Sequence, residues 1–193
     1  MTEEEILDLV DENDRVIGRI RRSVCHGNPI YLHRAVHLIV LNPEKEIYLQ
    51  CRNPDKEVQP GKWDTSVGGH IPSGEEYVDA VFREADEELG LKDFIPCFMY
   101  RYITHNDFES EFVGSFVCVY RRELQPNPDE ISEGRFWKES EIRDSLGTRI
   151  FTPNFEDEFR RFIVWRRKNP RRYRALFALD GKPCKEMYNG AER

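Results

Sequence analysis

The stretch Gly69-His-Ile-Pro-Ser-Gly-Glu75-Glu-Tyr-Val-Asp-Ala-Val-Phe-Arg83-Glu84-Ala85-Asp-Glu87-Glu88-Leu-Gly90-Leu91 decides how this chain is read. It reads as a glycine loop running into a helix. At 100° per residue, Glu84, Glu87 and Glu88 are i, i+3 and i+4 neighbours on one helix face. Like charges at that spacing destabilise an isolated helix by about 0.2–0.5 kcal/mol per pair, so the pattern asks for a compensating positive charge. Hard divalent cations such as Mg²⁺ prefer carboxylate and phosphate oxygens, and the stretch is read as a metal-dependent diphosphate site. The plain alternative is a solvated acidic face, the usual fate of a charge run. On the other side of the helix Val78, Val81, Phe82, Ala85 and Leu89 form an apolar stripe that faces the core.

The rest of the chain bounds this reading. Its 193 residues suffice for one domain with a full core, expected over 1–193 with the core at about 6–168 and a short extension at 171–193. Charged residues make up 34% and hydrophobic ones 39%, a globular balance. The net charge of −7 argues against binding a nucleic-acid polymer, but not against a phosphorylated small molecule. No apolar run approaches the ~20 residues that span a membrane. The start, Met1-Thr-Glu-Glu-Glu-Ile6, lacks the basic and apolar regions of a signal peptide. Five cysteines without a C-x-x-C pair suggest reduced thiols and a cytoplasmic protein. Cys118 belongs to an apolar run, and Cys25, Cys51, Cys97 and Cys184 carry no motif.

Outward from the acidic helix, Leu7–Arg22 reads as a hairpin turning at Asp11–Asp14, followed by a loop through Cys25–Pro29. Strands are expected at Ala35–Leu41, Ile47–Arg52, Trp63–Val67, Phe94–Thr104, Phe112–Tyr120 and Arg135–Trp137. A second helix is expected over Pro153–Lys168, with Thr152 as N-cap and Phe155, Phe159, Phe162 and Ile163 on one face. Mixed strands and helices about one core imply an α/β sandwich.

A further pattern joins His26, His33, His70, Glu109 and Glu111. Singly, each histidine is more often surface or satisfied core; as a set they offer nitrogen and oxygen ligands suited to Mn²⁺, Mg²⁺ or Zn²⁺.

The opening stretch resembles the Nudix box, G-x5-E-x7-R-E-U-x-E-E-x-G-U, where U is a bulky aliphatic residue. Gly69, Glu75, Arg83, Glu84, Glu87, Glu88, Gly90 and Leu91 match, while Ala85 is smaller than the pattern asks. The resemblance implies a Nudix-type α/β/α sandwich with a mixed sheet. From about Ile6 to Lys168 the chain is also similar to type 1 isopentenyl-diphosphate isomerases. Those Nudix relatives hold a metal with His-x6-His, Cys-Gly-His and Glu-x-Glu segments. Here the corresponding segments are His26-x6-His33, Gly68-Gly69-His70 and Glu109-Ser-Glu111. The basic residues that grip diphosphate in the isomerases are matched by Arg22, where they have lysine, and by Arg52 and Lys56.

Two departures bear on the reaction. The isomerase cysteine that moves a proton is Gly68 here, and the tryptophan that faces the carbocation is Asn154. Glycine transfers no proton and asparagine offers no π face to a cation. What remains resembles the isomerase-like Nudix hydrolases that lack the cysteine, acting on a nucleoside diphosphate-X type compound. Glu84, Glu87 and Glu88 would hold Mg²⁺ or Mn²⁺. Glu84, Glu88 or Glu111 would take a proton from water, and the sequence leaves that choice open. Arg22, Arg52 and Lys56 would neutralise phosphate charge, and Gly68 and Gly69 would let the backbone come close. Arg83 and Glu75 are read as structural. The expected partner is a small-molecule diphosphate, with room for a homodimer. Two other functions stay in view. One is isopentenyl-diphosphate isomerisation with Tyr100 or Tyr102 as substitute acid; the other is a non-catalytic nucleotide-binding sensor, against which the intact carboxylate set speaks.

Overall fold

A computed structural model of the chain describes residues 4–56 and 58–178. The first two strands, β1 (Ile6–Val10) and β2 (Val16–Arg21), form the expected hairpin. Its turn is closed by Asp11, whose carboxylate accepts the backbone N–H groups of Asn13 (2.8 Å) and Arg15 (3.0 Å). A short helix, α1 (Arg22–Cys25), precedes the expected loop. Next come β3 (Leu32–Leu41), β4 (Ile47–Arg52), β5 (Trp63–Asp64) and β6 (Val67–His70), then helix α2 (Tyr77–Leu89). Strands β7 (Cys97–His105), β8 (Ser110–Val119) and β9 (Ile131–Trp137) lead to helices α3 (Glu139–Ser145), α4 (Pro153–Lys168) and α5 (Pro170–Ala178).

All nine strands join one mixed sheet. Strand β3 lies at its centre, antiparallel to β1, β4 and β6 and parallel to β8, with which it pairs along ten residues from Leu32↔Ser110 to Leu41↔Val119. Its near-continuous apolar run is what a strand covered on both faces requires. Alternation sorts the run. Val36, Leu38 and Val40 enter the core beneath α2 with Val81, Ala85 and Leu89, whereas Ile39 and Leu41 enter the core beneath α4 with Phe155, Phe159 and Phe162. His37 has the parity of the α4 side.

Along one edge, β3 changes partner from β6, at Ala35–Leu38, to β4, at Leu41. Residues of β4, β5 and β6 all border the cavity described below.

The structure corrects several sequence expectations. Gly68 and Gly69 belong to strand β6, paired with His37 and Val36, and neither has a positive φ. The left-handed glycine of the following turn is Gly74, at φ 88°. The expected strand Trp63–Val67 is therefore broken at Thr65-Ser66. Phe82 is 37% exposed and leans on Phe94 rather than filling the core, and the buried acidic residue of α2 is Glu88. The later strands start or end a few residues from the expected limits, because partners set those limits. The tail reading at 171–193 overlaps α5, and residues 179–193 lie outside the described part. No described helix is long and apolar enough to cross a membrane.

Helix α4 follows its sequence signals. Thr152 caps it, its hydroxyl oxygen accepting from Phe155 N (3.1 Å) while the hydroxyl proton goes to Asp64 Oδ1 (2.7 Å). One buried side chain thus starts the helix and fastens it to β5. Thr152→Val, which keeps the shape and removes both bonds, is expected to cost about 1–2 kcal/mol, read as a lower denaturation midpoint with unchanged m-value.

Candidate active site

Helix α2 presents its carboxylates to the cavity by way of Arg83. The guanidinium reaches Glu75 through Nε (3.0 Å) and Nη2 (2.8 Å), Glu84 (2.7 Å) and Glu87 (3.2 Å) through Nη1, and the His70 carbonyl through Nη2 (3.1 Å). The charge that offsets the acidic face is thus supplied in part by the chain itself, and both Arg83 and Glu75 sit in bonds that hold structure together. A side chain at residue 69 would collide with Glu84: an added Cβ would lie 2.1 Å from its carboxyl carbon. Glycine there is what lets the carboxylate rest against β6.

Glu88 is buried and accepts from Gln50 Nε2 at 2.7 Å. Burial, with Glu84 nearby, pushes its pKa up to about 8. Burial also raises Glu84, against the pull of Arg83. Glu87 stays at the solvent edge.

The second group assembles from three separate segments. His33 on β3, His70 on β6, and Glu109 and Glu111 at the start of β8 each bring one donor atom within 4.8 Å of the others. His26 is adjacent, its Nε2 3.2 Å from Glu109 Oε2, but falls outside that foursome. Glu109 Oε2 also lies 3.6 Å from His70 Nε2 and 4.0 Å from His33 Nε2. Yet Glu109 Oε2 and His33 Nε2 are both buried with no hydrogen-bond partner among the described residues. Cys25 Sγ stands 2.9 Å from His33 Nδ1, which turns Nε2 toward the cluster. Burial, reinforced by His70, drives the His33 pKa down to about 4, so its ring is neutral. Burial and then Glu109 push Glu111 up to about 7. For Glu109, burial is outweighed by the surrounding histidines, and its pKa is lowered.

Both groups open onto one cavity of about 910 Å³. Arg22, Arg52, Lys56, Gly68, Gly69 and Asn154 line it too, as does Arg83. Each expected phosphate ligand already has company. Arg22 Nε donates to His70 Nδ1 (3.3 Å) and faces Glu5, Arg52 bridges the Val58 carbonyl (2.9 Å) and Asp64 (3.4 Å), and Lys56 pairs with Glu130.

The sequence reading overlooked His37 and Glu158. His37 Nδ1 lies 3.1 Å from Glu158 Oε2 and 3.3 Å from Tyr102 Oη, and Ser115 Oγ donates to Glu158 Oε1 at 2.6 Å. Both residues are buried, and His37 lines the cavity. Burial alone would neutralise the imidazole, but the Glu158 carboxylate outweighs it and holds the His37 pKa at about 9. For Glu158, burial is outweighed by His37, and its pKa falls. A signal was present: a histidine inside the apolar run Ala35–Leu41, and a glutamate among the core-facing aromatics of α4. Tyr100 and Tyr102, considered as substitute acids, are not among the lining residues. Tyr100 Oη donates to the Glu158 carbonyl (3.4 Å), and burial raises the pKa of both phenols.

The model for the NUDIX domain matches residues 31–158, which include both clusters. The chain belongs to the Nudix family. An uncharacterised Nudix hydrolase of Streptomyces coelicolor is 34% identical over 166 residues, covering 84% of this chain and 91% of that one. An isopentenyl-diphosphate Delta-isomerase of Photorhabdus laumondii is 33% identical over 159 residues, covering 78% and 90%. Among solved structures, the Deinococcus radiodurans protein DR0079 superposes with a TM-score of 0.64 at 28% identity, covering 74% of this chain and 90% of its own. These relatives make the chain a Nudix hydrolase by family, with the mixed α/β architecture expected. The family acts on pyrophosphate-containing small molecules and generally uses divalent metal.

The His37–Glu158 pair makes a stability prediction with a definite sign. A histidine raised from 6.5 to about 9 stabilises the fold fully below pH 6.5 and loses that contribution as pH climbs through 9. Glu158, lowered on folding, contributes above its unfolded value and loses that part in acid. Glu158→Gln should therefore lower the melting temperature most between about pH 4.5 and 6.5. The gap to the parent should narrow steadily toward pH 9. A gap independent of pH across that range would show that the pair is not ionised.

Proposed function

We propose that this Nudix protein is a Mg²⁺- or Mn²⁺-dependent hydrolase that cleaves the diphosphate linkage of a nucleoside diphosphate-X type small molecule. The observation that carries the reading is the meeting of two ligand-competent clusters and three basic side chains in one cavity. The donor sets fit hard or borderline divalent cations. Two buried atoms without a hydrogen bond among the described residues, His33 Nε2 and Glu109 Oε2, lie 4.0 Å apart in the second cluster, with a neutral imidazole ready to give its lone pair. Glu84, Glu87 and Glu88 would hold metal at the helix; His33, His70, Glu109 and Glu111, with His26 beside them, would hold it at the sheet. A divalent cation held there would supply positive charge for the phosphates and acidify water.

The chain's own residues supply the rest. Arg52, Lys56 and Arg22 exchange their carboxylate and imidazole partners for phosphate oxygens and orient the diphosphate. Of the three carboxylates able to take the attacking water's proton, Glu84 already gives an oxygen to Arg83. Glu88, which accepts from Gln50, and Glu111, in the sheet cluster, are the two left to take it. A cytoplasmic setting fits Cys25, Cys51 and Cys118, which stand as thiols.

The isomerase reading is supported by the Photorhabdus relative and opposed by Gly68, by Asn154 and by the position of Tyr100 and Tyr102 behind the cavity wall. Deuterium uptake from D₂O into isopentenyl diphosphate, followed by NMR with Mg²⁺ or Mn²⁺, separates the two readings. No enzyme-dependent exchange is expected, and steady exchange would overturn the hydrolase assignment.

Against a panel of diphosphates, turnover is expected to require added divalent metal. Glu87→Gln and Glu88→Gln should each lower it by at least the roughly 10- to 100-fold that disturbing a metal site costs, with circular dichroism unchanged. A folded double variant working at the parental rate would remove α2 from the metal site.

A further inference from the structure

His37 is nine-tenths buried yet borders the cavity, on a strand whose neighbouring positions are all core. Its Nδ1 is committed to Glu158 and Tyr102. Nε2 makes no hydrogen bond among the described residues, leaving that one ring nitrogen for whatever enters. Gly68 faces it across the β3–β6 pairing. A Cβ added there would sit 3.2 Å from His37 Cδ2 and 3.5 Å from Nε2, so the missing side chain uncovers the ring edge. Behind the ring, Glu158 is itself fixed by Ser115, so the imidazole cannot swing away without abandoning a buried carboxylate. A nucleophile, base or donor held this way by a second, fully bonded group is a recognisable functional arrangement.

We infer that His37, clamped by Glu158, contacts the substrate directly: its Nε2–H donates a hydrogen bond to an anionic oxygen of the bound diphosphate. The residue adds a clamped donor to the cations Arg22, Arg52 and Lys56. Its raised proton affinity agrees with a charged donor at neutral pH, and a charged donor is matched best by an anionic acceptor. Asp64 and Glu111 also act on the ring through space and favour the same charge. The inference rests on the diphosphate-hydrolase reading.

Two measurements test it. In the parent protein labelled with ¹⁵N-histidine, the His37 Nε2 resonance is expected to move when methylenediphosphonate, an unreactive diphosphate, is added with Mg²⁺, saturating with the same dependence as binding measured by calorimetry. In the double variant His37→Gln/Glu158→Gln, which keeps a neutral hydrogen-bonded pair in place of a stranded buried charge, kcat/KM should fall about 10- to 100-fold. Glu158→Gln alone, retaining the ring, should lose less. A folded double variant with parental kcat/KM, or Mg²⁺-dependent binding that leaves the His37 signal unmoved, would overturn the assignment of His37 while leaving the hydrolase intact. A parent that hydrolyses no diphosphate would overturn the hydrolase reading and this inference with it. Should the double variant fail to fold, the signal from the parent decides.

Discussion

All five N–H groups of the Arg83 guanidinium are spent inside the chain: two on Glu75, one each on Glu84 and Glu87, and one on the carbonyl of His70. No other residue type offers that fan of fixed donors. The consequence is geometric as much as electrostatic. Helix α2, whose like-charged face would repel itself, is held by its own arginine, and the same arginine ties it to β6. Because β6 carries His70, the helix carboxylates and the sheet cluster are positioned by one shared strand. Glu84 can approach that strand only because residue 69 has no side chain.

Strand β3 supplies the complementary constraint. His33 lies at its entrance and His37 two periods of alternation further, in a strand largely given to core packing. Burying ionisable groups at such positions is costly unless each finds a partner, and the structure solves this differently at each. His37 has a full carboxylate, and its charge is stabilised. His33 has Cys25 on one nitrogen and an unpartnered carboxylate oxygen beyond the other, and it stays neutral. One strand thereby carries a charged imidazole at the cavity wall and a neutral one within the sheet cluster.

Much of this was legible in the chain. The spacing of Glu84, Glu87 and Glu88 fixes their shared face whatever the tertiary structure, and Thr152-Pro153 announces α4 by cap chemistry that is local. The convergence of His33, His70, Glu109 and Glu111 was reached through the family resemblance, since no local rule joins three distant segments. Where local reading went astray, tertiary pairing prevailed. Gly68-Gly69 looks like a loop until β3 takes it as a partner, and Phe82 fits the apolar stripe but turns toward Phe94. His37 and Glu158 are 121 residues apart, and each alone is only a polar residue in an apolar run. Their meaning comes from the register that places β3 beneath α4. The partners of Arg22, Arg52 and Lys56 were illegible for the same reason.

The central claim is that water attacks a diphosphate in this cavity under divalent-metal control. It is tested most directly by incubating the protein and its best diphosphate substrate in H₂¹⁸O with Mg²⁺ and weighing the phosphate-bearing products by mass spectrometry. The account predicts a single ¹⁸O in one product per turnover, and no labelled product once the metal is chelated. Label-free products, or labelled product formed at the same rate with chelator present, would contradict it.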